Sequence, residues 1–100
     1  MPRVPANTLV LDASIAAVEP LRYTPAGLPA VNLQLEHQSE LPEAGVKRQV
    51  KVAVKAVAFG TLAERLAKQV IGSSWQFSGF LASSLHGKSV VFHIQDFLQD

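Results

Sequence analysis

The sequence predicts an all-β domain, a five-stranded barrel with one short helix between the third and fourth strands. Two-residue alternation of apolar and polar side chains recurs in several short segments, each bounded by turn residues. A single segment, near residues 62–71, changes to helical spacing. One hundred residues with 48% hydrophobic and 17% charged content suffice for one modest core and not for two. Little charge and much aliphatic content argue against disorder.

The first residues, carrying Pro2 and Pro5, read as a flexible arm over residues 1–7, ahead of one domain over residues 8–100. Leu9 to Val18 is apolar and β-prone, a first strand that Glu19-Pro20 interrupts. In Tyr23-Thr24-Pro25-Ala26-Gly27-Leu28-Pro29, proline presets φ and Gly27 supplies a positive-φ site, which suits a type II turn in a hairpin. The second strand runs from about Ala30 to His37, with Val31, Leu33 and Leu35 inward and Asn32, Gln34 and Glu36 outward. Glu40 to Gly45 reads as a polar loop.

The third strand has the cleanest alternation. Val46, Val50, Val52 and Val54 take one face; Lys47, Gln49, Lys51, Ala53 and Lys55 take the other. Thr61-Leu62-Ala63-Glu64 fits a capping box, and Leu62, Leu66 and Val70 follow as an apolar stripe. Lys68 and Gly72 suit the helix end, so the helix is expected over about 62–71. Ser74 to Leu81 alternates as a fourth strand, with Gly79 at a bend or bulge. His86-Gly87-Lys88 is a hairpin tip, and Val90 to Phe97 is the fifth strand. Three strands, a helix and two strands is the order of an oligonucleotide-binding (OB) fold.

Several of these residues bear a resemblance. Arg22-Tyr23-Thr24-Pro25-Ala26-Gly27 resembles the turn after the first strand of bacterial single-stranded DNA-binding proteins. Phe59-Gly60-Thr61-Leu62-Ala63-Glu64, with Gly72-Ser73 and Gly79, resembles their helix and fourth strand. Leu9-Val10-Leu11, Pro20-Leu21-Arg22, Pro25 to Pro29, Leu35-Glu36-His37, Glu43-Ala44-Gly45 and Arg48-Gln49 resemble, in order, the primosomal replication protein N (PriB) family. The resemblance spans about residues 8–98. The sequence stops just after the last strand, where ordinary single-stranded DNA-binding proteins continue into a long flexible region with an acidic tip; this points to the primosomal family.

That resemblance implies a cytoplasmic, homodimeric single-stranded DNA-binding accessory of replication restart, working with the primosomal helicase PriA and with DnaT. Dimers of this type commonly join through first strands, here Leu9 to Val18. Two other roles fit the same resemblance: a bridge between helicase and loader with weak DNA affinity, or a tailless general single-stranded DNA-binding protein, which would form tetramers. The sequence departs from the family at Lys51, where a stacking tryptophan stands, at Gln38, where an arginine stands, and at Tyr23, where a lysine stands. The hairpin before the last strand is lysine-rich in the family and shortened here to Ser83 to Lys88.

Single-strand binders combine a basic groove that follows phosphates with aromatic faces that stack bases. Lys47, Lys51 and Lys55 share one strand face, successively roughly 13 Å apart at strand rise. Arg22, Arg48 and Lys88 stand nearby, completing a candidate phosphate track in which each contact adds about 0.7 to the salt slope. Tyr23 is the candidate base stacker. A lysine face also serves as an ordinary solvated edge that deters aggregation, and Arg48 alternates to the opposite side, within reach of Glu36 or Glu40. Trp75, Phe59, Phe92 and Phe97 read as packing residues, while Phe80 falls on the polar side.

Other chemistries find little support. The net charge of +1 gives no global basic field, so any DNA affinity is local. Without cysteine there is no thiolate site or disulfide. His37, His86 and His93 lie on separate elements without ligand spacing, and no nucleophile elbow surrounds a serine. No metal, cofactor, small-molecule substrate or enzyme activity is expected. No apolar run approaches the roughly 20 residues of a membrane helix, and the N-terminus lacks a signal-peptide pattern.

Overall fold

The computed structural model describes residues 4–99. They form β1 (Leu9–Val18), β2 (Arg22–Tyr23), β3 (Pro29–Glu43), β4 (Val46–Phe59), α1 (Thr61–Ala67), β5 (Ser74–Ser83) and β6 (Val90–Leu98). The strands hydrogen-bond in the order β1-β5-β6-β4-β3-β2, and β1 also pairs with β3, which closes five of them into a barrel. Only β4 and β6 run parallel, meeting at Ala56↔Phe92 and Val57↔His93. This is the OB topology expected, with β2 added as a two-residue flap on the edge of β3.

Alternation places the core. Ile15, Val31, Leu35, Phe77 and Phe92 point inward and are fully buried, and Leu66 of α1 plugs the barrel from one end. Burying each such side chain stabilises the fold by about 1.5–3 kcal/mol. β1 serves two neighbours: Leu9 to Ser14 pair with β5, and from Ser14 onward the strand pairs with β3, with a bulge between Ile15 and Ala17. A second bulge, between Ser78 and Gly79, bends β5 against β6. Gly79 is required there, because a Cβ would lie 1.9 Å from the carbonyl oxygen of His93.

Asn7 ties the chain ahead of β1 to the barrel. Its amide Nδ2 donates to the Leu81 carbonyl at 2.8 Å, and its Oδ1 accepts from the Leu81 N–H at 2.9 Å. Residues 1–3 of the expected arm lie outside the described residues.

The connections differ from the sequence reading in four places. Gly27 (φ 86°) is the fourth residue of its turn, and its N–H donates to the Thr24 carbonyl at 2.8 Å. The turn is therefore type I closed by a left-handed glycine, the usual three-residue hairpin, and not type II. The expected polar loop at Glu40 to Gly45 is mostly strand: β3 continues to Glu43, paired with Val46, and only Ala44 (φ 53°) and Gly45 (φ 79°) turn. Two positive φ values mark a primed hairpin turn, which matches the twist of the long strands.

Helix α1 is shorter than expected, ending at Ala67. Gly60 is its N-cap and no side chain caps it, so the capping box does not form; Thr61 already lies inside the helix. Beyond α1, β1 captures the chain: the Gly72 N–H donates to the Ile15 carbonyl at 2.7 Å, and the Ile15 N–H donates to the Ser73 carbonyl at 3.0 Å. That clamp draws the backbone away from the helix axis and leaves Val70, expected in the apolar stripe, 74% exposed.

Candidate nucleic-acid interface

Strand β4 divides its side chains as the alternation predicts. Ala56 and Ala58 enter the core, while Lys47, Lys51 and Lys55 share the outer face with Phe59 further along. Directly across on β3 stand Pro42, Gln38 and Gln34, so each lysine faces an uncharged neighbour. Glu36, opposite Ala53, lies on the same face between Lys51 and Lys55. β1 accompanies β3 only as far as Glu36, and β6 meets β4 only at Ala56 and Val57. The outer parts of β3 and β4 therefore form a two-stranded ribbon that leaves the barrel. Lys55 stands on the barrel wall, whereas Lys47 and Lys51 stand on the ribbon rather than on the wall.

The cations differ in how free they are. Among the described residues, Lys51 and Lys55 make no ion pair. Lys47 lies 3.7 Å from Glu40, an exposed contact of little energetic weight. Arg48 occupies the opposite face of the ribbon and donates to Glu43 at 2.6 Å, its partner in place of the expected Glu36 or Glu40. Arg22 donates to the Asn32 side-chain carbonyl at 3.1 Å, which holds the guanidinium over the outer face beside β4. Tyr23 beside it is 65% exposed. Lys88 is exposed in the turn between β5 and β6.

A groove runs across this face. Arg22 and Asn32 flank it on one side, Leu85 of the β5–β6 turn on the other, and Lys55, Phe59 and His93 line its floor. Phe59 is 39% exposed, not the packing residue expected. Its ring stacks on His93 with centroids 6.0 Å apart, and His93 in turn stacks on Phe80 at 4.9 Å. Sequence reasoning noted Phe80 on the polar side but missed Phe59 and His93. The Phe80↔His93 register depends on the bulge at Ser78 and Gly79, which alternation alone does not locate.

Four further rings pack in or against the core. Trp75 packs edge-on against Phe97 at 5.0 Å, and its indole N–H donates to Ser73 Oγ at 2.9 Å. Phe77, Phe92 and Phe97 are buried. His37 is structural: its Nδ1 donates to the Asp12 carbonyl at 2.6 Å, and its Nε2 lies 2.8 Å from the Ser39 hydroxyl, which donates to it in the neutral ring. Among the described residues, no group of three histidine or acidic side chains is placed to hold a metal ion. The face thus offers free ammonium groups and a guanidinium beside partly exposed aromatic rings, the pairing suited to phosphates and bases of an unpaired strand.

Known proteins share this architecture. The chain matches the model of a family described as another single-strand binding protein family over residues 7–96. It is 44% identical over 90 residues to the replication restart protein PriB of Bordetella pertussis, covering 89% of this chain and 84% of that protein. The PriB of Nitrosomonas europaea is 31% identical over 91 residues, covering 90% and 84%. The solved structure of PriB from Ralstonia solanacearum superposes with a TM-score of 0.88 at 37% identity, covering 95% of this chain and 98% of that one. This chain belongs to the PriB family of replication restart proteins, within the wider single-strand binding protein family.

Proposed function

We propose that this chain is a single-stranded DNA-binding accessory of replication restart, holding the strand along the outer face of β3 and β4. The observation that carries the reading is that Lys51 and Lys55, free of ion pairs among the described residues, point to one face with Arg22 alongside. Lys47 continues the same face along the ribbon, and exposed Tyr23 and Lys88 are further contacts in this reading. Arg48, on the opposite face and engaged with Glu43, has no part in it. The relatives' names supply the cellular process, and binding rather than catalysis is what such a surface performs. A direct test compares a fluorescent single strand with the blunt duplex of the same sequence. Preferential binding of the single strand supports the reading; equal affinity, or none for either, contradicts it.

The same reading includes a homodimer. The stretch Leu9 to Ala13 of β1 pairs with β5 alone, and Val10 is exposed on it, which leaves an edge for a second β1. Two copies would double the lysine row and offset the low charge of one chain by multivalency. Light scattering giving twice the chain mass supports this; a monomer at micromolar concentration opposes it.

A second role, bridging PriA and DnaT in the cytoplasm, is favoured by one observation. The ribbon face opposite the lysines exposes Leu41, Val46 and Val52, an apolar strip suited to a protein partner. Val52→Ser is expected to weaken assembly of those partners while single-strand affinity holds. Loss of both together would argue against separate surfaces.

A further inference from the structure

We infer that Glu36 reads bases: with Ser14, Gln38 and Lys51 it lines an open hollow that takes the edge of a guanine from a bound single strand. The inference deepens the proposed single-strand binding and rests on it. Glu36 is exposed on the outer face, opposite Ala53 of β4 on one side and Ser14 of β1 on the other. Lys51 and Lys55, opposite Gln38 and Gln34, are its diagonal neighbours across the strands, about 7–8 Å away in such a pair. Among the described residues it forms an ion pair with neither. The ribbon's other carboxylates are engaged, Glu40 with Lys47 and Gln49, and Glu43 with Arg48. Of the three, only Glu36 keeps both carboxylate oxygens open.

A free carboxylate among phosphate-binding lysines repels phosphate, so its use on this face lies with the bases. Ionised, it accepts hydrogen bonds and donates none, and it therefore favours base edges that donate. Guanine presents its N1–H and its N2 amine side by side, a pair that meets both carboxylate oxygens at once. Thymine presents one N3–H between two carbonyl oxygens, which the same carboxylate repels. The hollow, of about 430 Å³, lies within the size range of small-ligand sites. The Gln38 amide and the Lys51 ammonium also line it, and both donate, as guanine O6 requires. Among the described residues, the side chains of Ser14, Gln38 and Lys51 engage no other residue, in contrast to their neighbours His37, Gln49 and Arg48. Open acceptors and open donors thus share one wall, complementary to a guanine edge and mismatched to thymine.

The test compares three fluorescent DNA strands of equal length on the parent and on Glu36→Gln. One is a thymidine–guanosine repeat, one the same repeat with inosine for guanosine, and one oligothymidine. Inosine lacks only the N2 amine, so it deletes one of the two donors that the carboxylate accepts from. A bidentate side-chain–base pair sets the scale: the parent is expected to bind the guanosine repeat about 5-fold or more tightly than the inosine repeat. Glu36→Gln should remove that difference while oligothymidine binding holds or tightens, since a repelling charge has gone. Glu36→Ala should behave alike, which guards against a new contact from the glutamine, and thermal melting checks that both variants fold. The parent binding single strands but treating the guanosine and inosine repeats alike would overturn base reading by Glu36. So would a Glu36→Gln variant that keeps the preference or weakens all three strands equally; in either case the lysine reading stands. If the parent binds no single strand at any salt, both fall together.

Discussion

At Gly79 the backbones of β5 and β6 approach so closely that a methyl group would sit 1.9 Å from a carbonyl oxygen of His93. Backbone, unlike a flexible side chain, cannot yield that space. Gly79→Ala is therefore expected to cost about 3 kcal/mol or more, read as a melting temperature lowered by at least about 10 °C; an unchanged melt would show that the bulge relaxes. The same glycine aligns Phe80 with His93, so its geometry reaches the groove. Charge works at this scale as well. Lys55→Ala is expected to weaken single-strand binding more than Arg48→Ala, because Arg48 lies on the far face and is engaged with Glu43. Titrations of the two variants side by side decide it, and the reverse order would move the binding face. Alternation made the three lysines legible from the sequence, since a period of two leaves only one way to arrange β4. Phe59 was not legible, because nothing in the sequence tells that the ring closing β4 meets His93 of a distant strand instead of the core.

The ribbon of β3 and β4 is the element that most exceeds its sequence pattern. Its β4 half alternates clearly and Glu40 to Gly45 reads as a polar loop, yet cross-strand hydrogen bonds continue out to Glu43↔Val46. The decisive feature is a two-residue turn whose first residue, Ala44, takes a positive φ of 53°. An L-residue bearing a Cβ is disfavoured there by about 1–2 kcal/mol, a penalty asparagine tolerates better. Ala44→Asn should raise the melting temperature by a few degrees; a fall would mean that the turn is not of this type. Helix α1 shows the opposite failure. Helical spacing continued to Val70, but hydrogen bonds from β1 to Gly72 and Ser73 stop the helix at Ala67. What remains still matters: Leu66 is fully buried, and Leu66→Ala should destabilise the protein by about 2–5 kcal/mol in denaturant titration. A loss below that range would imply that the barrel end collapses onto the smaller side chain.

At the scale of the whole molecule, strand order was legible because five alternating segments and one helix leave few ways to bury six large side chains in one hundred residues. Function was less legible, because a net charge of +1 conceals how the cations are distributed. On the folded chain, Lys51 and Lys55 share the outer face of β4, Arg22 leans over it, and Arg48 is turned away toward Glu43. The central claim is that this one face carries the phosphates of a single strand. It is tested most directly by measuring affinity for oligothymidine across salt concentrations, for the parent and for Lys51→Ala and Lys55→Ala. Each substitution should lower the slope of log affinity against log salt by about 0.7 and weaken binding at low salt. Slopes identical to the parent's for both variants would contradict the account.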